Sequence, residues 1–314
     1  MKKLRLIPLL SLAALLSACS LFGGKAKEPK FSKEGDEVTY EKFQEQYSKA
    51  YMDSELYDTD SKLGDRSLKG TASYSSTDLH KRGKKEINKE EDSYTVKGEA
   101  QFDYDNLVAK STAEIKRTSK ESSPEGTGSS TQTMKSEEYY QFTKIDGTKY
   151  LVEANAKTQV YSPYRSVSSS SDEKDVFDLF VRSNFSSYSY MFGNYIPNSK
   201  EEAKDYLFYN NDDVLFTIVY NEDDEEDVSY GTVKTKSKIK VQIDLTDGKQ
   251  AIRVSAVNKT ETSYSKDYNS YLDGDVVSEE NVTYVDYSIS SKDVNVKEVN
   301  LDDYTLNKNN GYII

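Results

Sequence analysis

The sequence predicts a β-rich α+β fold: one large curved antiparallel sheet, half-barrel-like, with two or three helices packed on one face. Three observations carry this. Much of the chain runs in short segments whose apolar residues alternate with polar ones, the period of a strand with one wet face. Tyrosine supplies much of the apolar content, 26 Tyr and no Trp, and its ring buries in a strand while its hydroxyl stays wet. Turn dipeptides punctuate the alternation at Asp105-Asn106, Asp146-Gly147 and Asp247-Gly248, where hairpins reverse.

Taken in order, the chain opens with Lys2, Lys3 and Arg5, then a largely apolar run from Leu6 to Leu16. This is the charged start and short apolar core of a secretory signal, too short to span a bilayer comfortably. It ends in Leu16-Ser17-Ala18-Cys19, which holds the one cysteine of the chain. The tetrad resembles the lipobox of bacterial lipoproteins. That resemblance implies a diacylglycerol on Cys19, cleavage just before it, and residence on the extracytoplasmic face of the cell membrane through that lipid. Removing residues 1–18 takes the formal charge from −12 to −15. Such a charge argues against nucleic acid as a partner and against polybasic attachment to anionic lipid. With no second cysteine there is no intramolecular disulfide, so stability rests on a packed core. Residues 19–37, with Gly23-Gly24, Pro29 and Gly35, read as a flexible tether. The extracytoplasmic domain is then 38–314.

Tyr40, Phe43, Tyr47, Ala50 and Tyr51 recur at three- and four-residue steps, the stripe of an amphipathic helix. Asp36 and Glu37 lie at its N-terminal end, where negative charge suits the dipole. Leu68 to Tyr74 reads as a first strand, and the charged stretch after it, with His80, shows no pattern. Tyr94, Val96, Gly98, Ala100 and Phe102 alternate, and Leu107, Ala109, Ser111, Ala113 and Ile115 return them. Residues 119–133, rich in Ser, Thr and Gly, read as a long mobile connection. Tyr139 to Ile145 and Tyr150-Leu151-Val152 flank Asp146-Gly147, and Val160-Tyr161 ends that region before Pro163.

Ser168 to Ser171 offer an N-cap for a second helix, whose inward face is Val176, Leu179, Phe180 and Ser183. An aromatic cluster without a period follows, from Phe185 to Tyr195. Ser199-Lys200-Glu201-Glu202 fits a capping box for a short helix to about Tyr206. Val214, Phe216, Ile218 and Tyr220 alternate, and the acidic run Glu222 to Asp227 reads as a loop. Ile239, Val241, Ile243 and Leu245 alternate and point inward, with Lys238, Lys240 and Gln242 outward. Ile252, Val254 and Ala256 return. Val282, Tyr284, Tyr287 and Ile289 suggest a last strand with a kink or bulge, and Val294 to Leu306 closes the domain.

The residues offer no catalytic constellation. His80 is the one histidine, and no Gly-x-Ser-x-Gly elbow is present. Carboxylate pairs do not discriminate among 54 acidic residues. Cys- and His-rich metal sites are excluded by count. Asp267 to Asp275 resembles an EF-hand loop in its first and third positions only, with Leu272 at the glycine position and Ser278 at the twelfth. The expectation is therefore a non-enzyme without cofactor or metal.

One further likeness lies in the order of elements. A lipobox and tether precede an amphipathic helix, then long hairpins such as Gly98-Glu99-Ala100-Gln101-Phe102-Asp103-Tyr104. Tyr139-Tyr140-Gln141-Phe142, mid-chain helices and a closing Val299-Asn300-Leu301-Asp302-Asp303-Tyr304 follow. Over about residues 38–306 this is similar to bacterial lipoproteins with the LolA/LppX-type half-barrel. The resemblance implies a carrier of acyl chains or lipoproteins between sheet and helices. Tyr40, Phe43, Tyr47 and Tyr51 on one helix, with Val176, Leu179 and Phe180 on the other, are the candidate lining for such an amphipathic ligand. The alternatives are that these residues fill the core, and that the chain is a surface structural or protein-interaction lipoprotein.

Overall fold

The computed structural model describes residues 28–53, 65–185, 197, 199–246, 249–265, 274–291 and 294–307. Cys19, the start of the tether, the aromatic residues 188–195 and most of the Asp267–Asp275 loop lie outside the described residues. Two antiparallel meanders build the sheet. The first comprises β2 (Arg66–Arg82), β3 (Lys85–Asp103), β4 (Val108–Ser123), β5 (Gly126–Ile145), β6 (Thr148–Asn155) and β7 (Val160–Ser166). The second comprises β8 (Tyr206–Asn211), β9 (Leu215–Val228), β10 (Gly231–Thr246), β11 (Lys249–Tyr264) and β12 (Asp275–Ser290). β12 returns beside β2 and fuses the meanders in mid-sheet. Short β1 (Asp36–Val38) borders β8, and β13 (Thr305–Leu306) runs parallel to β7 at the far edge. The result is a β-rich α+β fold: one curved, unclosed 13-stranded sheet with two helices.

Helix α1 (Tyr40–Asp53) is capped by Thr39, whose hydroxyl accepts from Lys42 N at 3.3 Å. Helix α2 (Glu173–Phe185) starts later than its serine run suggests: Asp172 is the cap, accepting from Asp175 N at 2.8 Å. The predicted short helix is a 3-10 turn at Glu202–Asp205, with Ser199 accepting from Glu202 N. The Asp146-Gly147 hairpin stands, with φ of 50° and 85° at the two turn residues, the conformation a tight right-twisted hairpin requires.

Three readings are corrected. Residues 119–133 are not a connection: they are the ends of β4 and β5, joined by a tight turn at Pro124-Glu125. Glu222–Asp227 is not a loop but the end of β9, laid against β10 with Lys236 2.8 Å from Asp223 and Lys234 3.1 Å from Glu225. β12 carries no bulge, since Val282 and Tyr284 simply face opposite to Tyr287 and Ile289.

The inner face, which carries both helices, holds the core in only half of the sheet. Cross-strand rows such as Val96–Ala72–Val285–Val254–Val241–Ile218–Phe208 are buried. Past that row toward the other ends of the hairpins, burial thins to isolated residues such as Ser237 and Asp275. Nothing in 85–95, 126–135 or 257–264 is buried, and among the described residues no helix lies over them.

On the outer face the two ends of the chain form straps. Residues 28–35 cross β11 and β10 before pairing as β1. Glu28 accepts from Ser255 Oγ at 2.9 Å; Gln242 accepts from Ser32 N at 2.8 Å and donates to Ser32 O at 3.1 Å. Residues 294–300 mirror this: Gln141 accepts from Val299 N at 2.7 Å and donates to Val299 O at 3.0 Å. Gln242 points outward as expected yet is 0% exposed, because the strap covers it.

Candidate functional site

The expected ligand lining is packed as core. Phe43 lies 5.0 Å from Phe208 and edge-on to Phe216 at 5.7 Å, with Tyr47 edge-on to the same ring at 5.5 Å. Tyr40 is buried and donates to Pro197 O at 2.8 Å. Tyr51 is half-buried against Tyr47. Burial pushes the Tyr47 hydroxyl up to about 12. On α2, Phe180 lies 4.5 Å from Tyr140 and 5.3 Å from Tyr164, and Val176 is buried beside them. Leu179 departs from the expectation: it is 43% exposed. Phe177 takes the inward position instead, edge-on to Tyr104 at 5.2 Å. Residues 176, 177, 180 and 181 make the helical stripe, one step away from 179.

The same inner face carries two half-buried carboxyls next to this packing. Tyr140 and Ser111 donate to Glu138 Oε2 at 3.2 and 3.5 Å. Burial raises Glu138 against those two hydrogen bonds, and burial with the neighbouring Glu138 charge pushes Glu153 up to about 7.

A concavity of about 910 Å³ lies on the outer face, across β12, β2, β3, β4 and β5. Its floor is backbone of the small-residue row Gly70–Gly98–Ala113–Ser136. One wall is the row Asp286–Thr71–Lys97–Glu114–Lys135, and the other is Ser288–Lys69–Glu99–Thr112–Glu137. Gly70 is required here, because a Cβ would meet Tyr287 at 2.9 Å and the Asp286 carbonyl at 2.8 Å. Glu114 is 1% exposed, and its one ion pair, to Lys135, is long at 3.5 Å. Charged side chains of both signs stand along both walls.

In the uncovered half, Asp275 is 0% exposed and gripped by Arg82 at 2.8 Å and His80 at 2.6 Å. The Arg82 hydrogen bond, aided by His80, holds the Asp275 carboxyl at about 2 against burial. The sole histidine is thus a strand staple. Among the described residues no group of three or more His, Cys, Asp or Glu is placed to hold a metal ion.

The uncovered half has two edges of opposite character. β9 leaves β8 after Tyr220, so among the described residues 221–228 has no strand on that side; it carries Glu222, Asp223, Asp224, Glu225, Glu226 and Asp227. β5 pairs with β6 only from Glu138, so among the described residues 126–136 is the other edge, made of Gly, Ser, Thr and Gln with Met134 and Lys135. Sequence reasoning missed both edges, the glutamine clasps and the Glu114 row. Each depends on strand register or on a distant strap, and neither leaves a periodic trace.

No family model and no curated protein matches this chain. One similar solved structure is the translocator domain of autotransporter NalP from Neisseria meningitidis, at 10% identity over 80% of this chain and 95% of that chain, with a TM-score of 0.15. No helix among the described residues is long and apolar enough to cross a membrane.

Proposed function

We propose that the chain is a non-enzymatic lipoprotein, anchored through Cys19 on the extracytoplasmic face of the membrane, that works as a protein-interaction module. The observation that carries this is the uncovered half of the sheet. Eight long strands run well past the helices, and among the described residues of that half only isolated side chains such as Ser237 and Asp275 are buried. Surface of that extent, held out from a packed base, serves contact with something outside the molecule. The close ring packing around Phe43 and Phe180 supports this reading over a carrier of an amphipathic ligand.

The test is photo-cross-linking of the full chain in its own membrane, with a photoreactive residue at outward positions such as Lys259 or Thr131. Adducts to protein are expected from the uncovered half, and Cys19→Ala should abolish membrane retention. A saturable complex between the folded chain and a fluorescent fatty acid, with no protein adducts, would restore the carrier reading.

A further inference from the structure

We propose that two copies of the chain join through the edge of β5, residues 126–136, in an antiparallel pairing centred on Thr131. This deepens the interaction reading by naming the surface and its partner. A long strand edge is a row of unpaired N–H and C=O groups that templates another strand. Natural sheets blunt such edges with charge, and β9 does so with its acidic run. The β5 edge is not blunted. All of 126–135 is exposed, and no residue of 126–134 is charged.

The geometry selects a second copy as the occupant. Glu137 O accepts from Ala156 N at 2.9 Å on the β6 side, so odd-numbered residues turn their backbone groups toward the edge. A two-fold axis at Thr131 then pairs Thr131 with itself, Ser129 with Thr133 and Thr127 with Lys135, all by hydrogen-bonding groups. Within 126–136 no like charges meet, and the next pair, Glu125 with Glu137, marks where the pairing ends. On the inner face the same register lays Met134, 60% exposed, over Gly128 of the other copy. A Cβ at Gly128 meets nothing within 4 Å, so there is room. Because the other edge is acidic, the pairing closes at two copies rather than growing into a filament.

The two-fold axis is normal to the sheet, so both outer faces look the same way. Both N-terminal straps lie on that face. The nine steps of chain from Cys19 to Glu28 reach about 30 Å, so two anchors serve one membrane. Confinement there raises the effective concentration for a contact made mainly of backbone hydrogen bonds. This last point rests on the anchored reading; the register does not.

The experiment uses the full chain in membranes, with the unsubstituted chain as background. Thr131→Cys is expected to give, on mild oxidation, a disulfide-linked species of twice the mass, and Asp224→Cys at the acidic edge none. Thr131→Lys should lower the dimer fraction at least tenfold in native mass spectrometry of detergent extracts, while the chain still unfolds cooperatively in urea. Mixing it with Thr131→Glu should restore a heterodimer. No Thr131→Cys dimer overturns the pairing, as does equal linkage at Asp224→Cys or linkage to a different protein. A Cys19→Ala chain that stays on the membrane overturns the anchored reading and leaves the pairing standing.

Discussion

Val241 and Lys236 are five residues apart on β10 and live in different solvents. Val241 is 0% exposed beneath the helices, whereas Lys236 is 59% exposed and pairs across to Asp223. The same contrast divides β2, β3, β4, β5, β9, β11 and β12. In the covered half, structure follows from burying rings and branched side chains between helices, sheet and straps. In the other half it follows from ladders alone, with cross-strand pairs such as Thr118–Thr131 at 3.3 Å and Lys234–Glu225 at 3.1 Å. Each such pair contributes about 0.2–1 kcal/mol. A sheet can therefore continue past its core when its first rows are nailed down and later rows only extend the register.

The contrast breaks most visibly at Phe43. Phe43→Ala should cost about 3–5 kcal/mol in urea melts through lost burial and a cavity, and Phe43→Asp should not fold. Val277→Ala, on the inner face of the uncovered half, should cost less than about 1 kcal/mol. Comparable losses at both sites would mean that the far half hides a core.

Next in size is pH. Glu153 in the covered half is raised from 4.5 to about 7, so the folded state holds its proton more tightly than the unfolded chain. The resulting stability is full below about pH 4.5 and is lost as pH rises through 7, by up to about 3 kcal/mol. Glu153→Gln should flatten that loss. Asp275 in the uncovered half has the opposite sign. Its carboxyl is depressed from 3.8 to about 2, so its contribution is present above about pH 4 and disappears as pH falls toward 2. Asp275→Asn should remove that acid limb. Chemical melts from pH 3 to 8 separate the two, and a single common pH trend would contradict the assignment.

Gln242→Ala should cost about 1–3 kcal/mol by leaving Ser32 N and O without their partner under the strap. Gln141→Ala should do the same for Val299. Hydrogen exchange at those two amides reports directly, and unchanged protection would mean the straps hold by other contacts. Smallest of all, Lys236→Ala should lie within about 0.5 kcal/mol of the parent chain.

The division also explains what the sequence showed. Tyr40, Phe43 and Tyr47, or Val241 and Ile243, repeat at the period of their element because one side of it is buried. Residues 119–133 and 222–227 are equally regular in backbone, but water lies on both faces, so polar residues and glycine stand at nearly every position and no period survives. Phe177 was passed over for Leu179 because both are apolar and only two positions apart on the helix, and the contact of Phe177 with the Tyr104 ring decides between them. Gln242 was placed on the correct face, but its burial depends on residues 28–35, some two hundred positions away.

The straps carry one more consequence, in mechanical terms. The N-terminal segment reaches its edge strand only after crossing mid-sheet, where Ser255 and then Gln242 hold it. Tension applied to the start of the chain is therefore delivered to the interior of the sheet, and it strains the Gln242 clasp in shear before it can peel β1 from β8. Because β1 is only three residues long, a pull that reached it directly would unzip it one bond at a time. The clasp turns the weakest strand of the sheet into one that is never the first to bear load.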